Sequence, residues 1–444
     1  FREKSFMQKD IFRPFLNENS DKLNFLRYNT IGKNKDKYFD FTASGLAFRQ
    51  IENRIHEVLE TYANTHSKES SNAKITTKYY EDARQTLQKS LEIDDSFTIL
   101  PCGSGATGAI KKLQEILGVY IPPKTKERLK EKGLKIDKKS MPLVIVGPYE
   151  HHSNEVSFRE SLAQVKRVKL RKDGLIDLEH LENILEKNKN REIIGSFTIA
   201  SNVSGIITCY KKISNLLRKY KATVCFDAAA SSSYMNISSS YYDALFLSPH
   251  KLLGGVGSCG ILVVKKFLVD TSLPPSFAGG GTVKYVNKSY QIYEEQIEVR
   301  EDAGTPAITQ FIRAALAYKL RNEIGFEFIE SRKKELYLYL LEELKSIQNL
   351  LIYGNKKSHN IGIVSFNIKD FNPYTLCENL SNSGFQTRAG CSCAGPYGHD
   401  LLGLKKVSMK NRPGWLRVGV HYIQTKDEIK ALVDEIKNSL KTTL

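Results

Sequence analysis

The middle of the chain repeats one hydrophobic pattern: a short uninterrupted apolar run, a polar or glycine-rich tip, then a stretch with helical spacing. The runs fall at residues 97–101, 143–146, 193–200, 223–226 and 244–247. Short apolar runs that do not alternate, separated by helical stretches such as 178–187 and 211–220, predict strands buried on both faces of a parallel sheet. The first run is followed by Cys102-Gly-Ser-Gly-Ala-Thr-Gly, the second by Tyr149-Glu-His-His-Ser-Asn and the third by Ser201-Asn-Val-Ser-Gly. The fourth ends in Asp227-Ala-Ala-Ala and the fifth in Ser248-Pro-His-Lys. Ligands of an open parallel sheet bind beyond the carboxyl ends of its strands, so the five tips are expected to share one pocket.

Beyond about residue 302 the pattern changes to a long helical stretch at 310–347 and then a smaller α+β arrangement. Residues 361–368 and 415–420 read as strands, and 373–383 and 426–440 as helices. The fold class expected is therefore α/β: a large domain with a mostly parallel central sheet, joined to a smaller α+β C-terminal domain. The divisions are an N-terminal segment 1–38, a large domain 39–309 and a small domain 310–444. Within the last, the loop 386–395 is rich in small and polar residues, which suits an active-site flap.

Composition narrows the partners. Hydrophobic residues make up 41% and charged residues 26% of 444, an ordinary globular balance. No stretch reaches the roughly 20 apolar residues that span a bilayer, and the first 21 residues mix basic with acidic side chains. A cytoplasmic protein without a membrane partner is expected. Lys and Arg number 66 against 49 Asp and Glu, a net charge of +17. The lysines are spread with acids between them, and no zinc-finger spacing or RNA-binding signature accompanies them, so no nucleic-acid partner is expected. The densest basic run, 124–139, reads as a solvated surface insertion. A basic surface can still draw in a small anionic substrate or cofactor. Seven cysteines lack the spacing of a disulfide framework, which fits a reducing compartment. Cys391-Ser-Cys393 is the one close pair, and without a second Cys or His cluster at finger spacing it predicts no metal site.

The tips carry the chemistry. Gly103-Ser-Gly-Ala-Thr-Gly, between strand and helix, offers backbone N–H groups and hydroxyls to a phosphate, but lacks the lysine of a nucleotide P-loop and the spacing of a dinucleotide fingerprint. Asp227 reads either as a helix cap or as the carboxylate that keeps the pyridine nitrogen of pyridoxal 5′-phosphate (PLP) protonated. Lys251 reads either as a surface lysine or as a buried amine whose lowered pKa lets it attack an aldehyde, with Ser248 and His250 beside a phosphate. His151 or His152 could lie against a ring and move protons, or be a plain loop histidine. Asn202 is a turn residue or a partner for a ring oxygen.

Together these residues resemble the class V aminotransferase family of PLP enzymes, in its cysteine desulfurase and selenocysteine lyase branch. The resemblance rests on an ordered series from about Phe39 to the C-terminal helix. Ser104-Gly-Ala-Thr, Glu150-His-His-Ser-Asn, Ser201-Asn-Val-Ser-Gly, Asp227-Ala-Ala and Ser248-Pro-His-Lys come first, followed by Gly279-Gly-Gly-Thr, Ala303-Gly-Thr-Pro and Arg388-Ala-Gly-Cys-Ser-Cys. It implies the aspartate aminotransferase-like PLP-dependent transferase fold (fold type I) and PLP as cofactor. By this resemblance Lys251 holds the cofactor as a Schiff base, Asp227 pairs with the pyridine nitrogen, and His151 stacks on the ring. Ala106, Thr107, Ser248 and His250 surround the phosphate, and Asn202 approaches the ring hydroxyl. The family resemblance also implies a homodimer in which Thr282 reaches the partner's phosphate.

Arg388 would hold the carboxylate of an amino acid, L-cysteine by this reading. Cys393, five residues later, would accept sulfur as a persulfide, leave L-alanine, and pass the sulfur to an acceptor protein. Cys391 could instead be the acceptor, or relay sulfur between the two. The chain departs from the family pattern at Ala230, where glutamine is usual, and at Cys391 and Ser392, where two histidines commonly stand. The alternative expectation is a class V aminotransferase or a C–S lyase without a cysteine nucleophile.

Overall fold

The computed structural model describes residues 9–17, 21–65, 67, 69–405, 409 and 412–441. Of the expected N-terminal segment, residues 1–8 and 18–20 lie outside the described residues. The central sheet has seven strands: β1 (Phe97–Cys102), β2 (Leu143–Val146), β3 (Gln164–Arg167), β4 (Ile193–Thr198), β5 (Thr223–Asp227), β6 (Ala244–Leu247) and β7 (Gly260–Lys265). Their spatial order is β1-β7-β6-β5-β4-β2-β3. Pairings between β3, β2, β4, β5 and β6 are parallel, whereas β7 runs antiparallel to both neighbours. The α/β class with a mostly parallel sheet is thus the observed one. All five expected runs are strands, and β2, β4 and β6 are buried along their whole length. The two strands not anticipated are β3, whose Gln-Val-Lys-Arg sequence has no apolar run, and β7, which lies after the last expected tip.

Amphipathic helices cover the sheet. Residues Tyr210–Lys219 bury Ile213, Ser214 and Leu217 on one side and leave the basic residues on the other. The helix Ser71–Leu91 buries Ala73, Thr76, Tyr80, Ala83 and Leu87 at spacings of three and four, and packs against Ile308–Ile324. The expected single helix at 310–347 is two, Ile308–Ile324 and Phe326–Leu344, because Gly325 between them sits at φ 88° and breaks the backbone path. Apolar periodicity continues across the glycine, so the pattern alone does not register the break. The insertion helix Pro123–Glu131 has no buried residue.

A second, antiparallel sheet is formed by β8 (Leu350–Ile352), β9 (Ile363–Ile368), β10 (Arg388–Gly390) and β11 (Trp415–Gly419), in the order β8-β9-β11-β10. Val364, Phe366, Leu416 and Val418 pack with Leu336, Leu340 and Leu344, and with Leu376, Leu380, Ile429, Leu432 and Ile436 from flanking helices. Among the described residues no helix is long and apolar enough to cross a membrane.

The two sheets meet along the loop that follows β4. Ile361 N–H donates to the Gly205 carbonyl at 2.9 Å, and Ile207 N–H donates to that of His359 at 2.9 Å. Ser365 Oγ donates to the Val203 carbonyl at 2.6 Å, and Arg417 donates to that of Asn202 at 3.0 Å. Asn360 closes the seam: its amide nitrogen donates to the Ser204 carbonyl at 2.7 Å, and its oxygen accepts from Gly362 N–H at 2.7 Å and Ile363 N–H at 2.9 Å. Asn360→Ala removes all three contacts and is expected to destabilise the protein by about 2–3 kcal/mol, read as a lower urea midpoint at unchanged m-value. Asn360→Asp, which keeps the acceptor, is expected to lose less.

Candidate functional site

All five strand tips line one cavity of about 600 Å³. Ser104, Ala106 and Thr107 come from the first tip, His151 and Ser153 from the second, Ala200 and Asn202 from the third, Asp227 and Ala230 from the fourth, and Ser248, His250 and Lys251 from the fifth. The opposite wall belongs to the second sheet and its loops: Arg388, Cys391, Ser392, Cys393 and Arg417, with Thr42 and Tyr374.

At one end the helix Gly105–Ile116 begins without a side-chain cap, so its first N–H groups keep the partial positive charge of a helix N-terminus. Ala106 N–H donates to Ser248 Oγ at 2.8 Å, and the hydroxyls of Thr107 and Ser153 lie 2.6 Å apart. Gly105 sits at φ +54°, and a Cβ there would come within 2.8 Å of Ser248 Oγ and 2.9 Å of His250 Cε1. Only glycine leaves this cradle open. Burial and the adjacent Lys251 push the His250 imidazole down to about 4, so it is neutral and able to accept or donate one hydrogen bond.

At the floor, the buried Asp227 lies within electrostatic reach of the half-buried Lys251. Burial raises the Asp227 carboxyl, opposed by the Ala229 N–H that donates to Oδ1 at 2.9 Å and by the charge of Lys251. Burial pushes the Lys251 amine down to about 8, against the pull of Asp227. His151 is pushed down to about 4 by burial and by Lys251, and its Nδ1 accepts from Ser153 N–H at 3.1 Å as a helix cap.

The loop bearing Cys393 is held against this floor by large-sheet residues. His152 N–H donates to the Cys393 carbonyl at 2.7 Å, and Gly395 N–H donates to His152 Nε2 at 2.8 Å. Asn202 Nδ2 donates to the Ser392 carbonyl at 2.7 Å, and its buried Oδ1 has no partner among the described residues. Cys393 is exposed to the cavity and within electrostatic reach of Lys251 and Arg417. Asp40 joins two arginines: it accepts from Arg388 Nε and Nη2 at 3.0 and 2.7 Å, and from the buried Arg417 at 3.0 Å.

Of the residues singled out in the sequence, Lys251, Asp227, His151, Asn202, Ala106, Thr107, Ser248, His250, Arg388, Cys391 and Cys393 share this cavity. Thr282 does not line it in the single chain; it is buried in its own turn, donating to the Gly279 carbonyl at 2.8 Å. The sequence reading missed Arg417, Asp40 and the clamping role of His152. Arg417 had one signal, a lone charge inside the apolar strand Trp415-Leu-Arg-Val.

The cavity fits PLP on three counts: an anion cradle that a Cβ would fill, an amine of lowered pKa, and a carboxylate within the same buried floor. Among the described residues no cluster of His, Cys, Asp and Glu is suited to a metal.

The chain is 26% identical over 409 residues to a probable cysteine desulfurase of Staphylococcus aureus strain Mu50, covering 90% of this chain and 91% of the relative. A probable cysteine desulfurase of Staphylococcus epidermidis strain ATCC 12228 is 27% identical over 410 residues, covering 90% and 91%. Among solved structures, the apo cysteine desulfurase from Thermococcus onnurineus NA1 superposes with a TM-score of 0.79 at 22% identity, covering 94% of this chain and 98% of that one. The cysteine desulfurase CsdA from Escherichia coli, in its S-sulfonic acid form, gives 0.76 at 20% identity, covering 96% and 100%. These structures share the fold. The family pattern described as aminotransferase class-V matches residues 37–432, and the chain belongs to that family.

Proposed function

We propose that the chain is a PLP-dependent cysteine desulfurase that takes sulfur from L-cysteine onto Cys393 and releases L-alanine. The observation that carries this reading is a cysteine facing Lys251 and the buried Asp227 from a loop clamped to the same floor. The relatives named above support it. In this reading the large domain 39–309 carries the cofactor and the small domain 310–444 supplies Arg388 and Cys393.

PLP, when bound, supplies an electron sink that acidifies the Cα–H of an attached amino acid and labilises its sulfur. Its phosphate would lie against Ala106, Thr107, Ser248 and His250, its ring nitrogen against Asp227 and its ring face against His151. Asn202 would lie near the ring hydroxyl. The buried Asp227 would hold the nitrogen's proton in place. Lys251, neutral above about pH 8, would carry the proton at Cα. The substrate carboxylate has two guanidinium groups to meet, Arg388 as read from the sequence and Arg417 from the structure. The Cys393 thiolate, beside the positive charges of Lys251 and Arg417, would attack the substrate sulfur and become a persulfide.

We further propose a homodimer, with Thr282 serving the partner's phosphate site. The exposed Phe277, Tyr285, Val286, Tyr290 and Ile292, clustered next to Thr282 in the chain, are the apolar surface such a contact would cover. A sulfur-acceptor protein would then take the persulfide. Seven free cysteines support a reducing, cytoplasmic setting.

Purified PLP-loaded protein is expected to convert L-cysteine to alanine, and Cys393→Ser to lower that turnover by at least about a hundredfold while leaving cofactor absorbance intact. Pyruvate and ammonia, or a keto acid formed only with an amino acceptor and insensitive to this change, would instead assign a C–S lyase or aminotransferase. Arg417→Lys, which loses the planar fork, is expected to raise KM for cysteine about tenfold to a hundredfold with a smaller change in kcat. Covalent capture of PLP by cofactor-free protein, trapped with borohydride and read by mass, is expected to rise with pH through a midpoint near 8. Below that midpoint the Lys251 ammonium is not a nucleophile, and above it the amine is free. In Lys251→Ala the peptide spanning position 251 should show no capture at any pH.

A further inference from the structure

Cys391 and Cys393 line the same cavity, the first half-buried and the second exposed. Between them the chain makes a tight turn: Ala394 N–H donates to the Cys391 carbonyl at 3.0 Å. Both central residues, Ser392 at φ 52° and Cys393 at φ 53°, are left-handed. Two successive non-glycine residues in that region are rare, and turns of this hand ordinarily use Asn-Gly. Here the turn is held from outside, by Asn202 on the Ser392 carbonyl and by His152 on the Cys393 carbonyl and Gly395 N–H. The Ser392 hydroxyl accepts from Trp415 Nε1 at 3.3 Å, so it is engaged on the second sheet.

A turn that brings its first and fourth Cα atoms within about 7 Å brings its first and third closer than an extended chain does, inside the roughly 4.4–6.8 Å span that a disulfide bridges. The other cysteines are not competitors. Cys102, half-buried, and Cys225 and Cys259, buried, have thiols pushed upward by desolvation, and none of Cys102, Cys209, Cys225, Cys259 and Cys377 lines the cavity. The protein therefore presents an outer thiol to the substrate and an inner thiol two residues away, in a turn fixed by three contacts to the large sheet.

We propose that Cys391 is a resolving thiol that discharges the Cys393 persulfide as hydrosulfide. This rests on the desulfurase reading, which supplies the persulfide. The Cys391 thiolate attacks Sγ of Cys393. The new Sγ–Sγ bond forms as the bond from Cys393 Sγ to the terminal sulfur breaks, and that sulfur leaves with the electron pair as hydrosulfide. The two cysteines are oxidised to a disulfide and the sulfane sulfur is reduced to sulfide. A small dithiol reductant then returns both cysteines to thiols, with one proton from each of its own sulfurs. The enzyme would in this way release free sulfide under reducing conditions, besides donating to an acceptor protein from persulfide intercepted before resolution.

The test is PLP-loaded protein given one equivalent of L-cysteine per active site and no other thiol, with alanine, sulfide and the mass of the 391–393 peptide followed together. Wild type is expected to release one sulfide per alanine and to end lighter by two hydrogens, with a disulfide inside that peptide. Cys391→Ser is expected to hold the sulfur instead, becoming heavier by one sulfur atom for each alanine made. Separately, the oxidant diamide is expected to close the disulfide in wild type and in neither single Cys→Ser variant, a readout independent of turnover. Alanine with a stable persulfide on wild-type Cys393, or equal sulfide per alanine from Cys391→Ser, would overturn the resolving role and leave desulfuration standing. Failure of diamide to link the pair would also overturn it. Wild type that makes no alanine would remove desulfuration, and the role of Cys391 with it.

Discussion

Everything at this site depends on one seam, where the loop after β4 is hydrogen-bonded to the second sheet. Residues 201–207 belong to the central sheet by chain order, yet their backbone groups pair with Asn360, Ile361, Ser365 and Arg417. Loop backbone leaving a buried strand needs partners, and here the second sheet supplies them. The same loop carries Asn202, so the contact that satisfies its backbone also sets the distance between the floor with Lys251 and the wall with Cys393.

Burial does the electrostatic tuning. Lys251, His151 and His250 are all driven toward their neutral forms by the same desolvation, with mutual repulsion adding to it. Among the described residues Asp227 is the one acid that lines the cavity, and it opposes the shift of Lys251 while being raised itself. The result is a site whose two imidazoles are uncharged near neutrality, whose lysine loses its charge only near pH 8, and whose fixed positive charge resides on Arg388, Arg412, Arg417 and the start of the helix Gly105–Ile116. Anionic ligand groups are thus drawn to the two ends of the cavity, and the amine of Lys251 lies between.

The sheet and its five tips were legible in the chain because strands buried on both faces must be continuous apolar runs, and the polar residues that interrupt them mark the ends. What lay beyond reach were features set by pairing across the fold. The strand at 260–265 is as apolar as its neighbours, but nothing local says that it runs antiparallel. His152 looks like half of a His-His pair until its Nε2 is found on Gly395 N–H. Arg417 sits in an apolar strand as a lone charge, and its meaning appears only when Asp40, 377 residues away in sequence, is found against it. Cys391 and Cys393 were visible as a pair; the left-handed turn that joins them was not, since neither Ser392 nor Cys393 is a residue that announces such a conformation.

Asp40 occupies the arginine forks with a carboxylate of the chain's own. The protein is thereby its own competitive occupant: an incoming carboxylate does not fall into an empty basic site but enters an exchange, against a rival tethered at high effective concentration. Charge alone gives little advantage in such an exchange, because the rival carries the same charge. Selectivity then shifts to whatever else the incoming molecule can offer, and a ligand anchored at its other end to the cavity floor holds an advantage that a free carboxylate lacks.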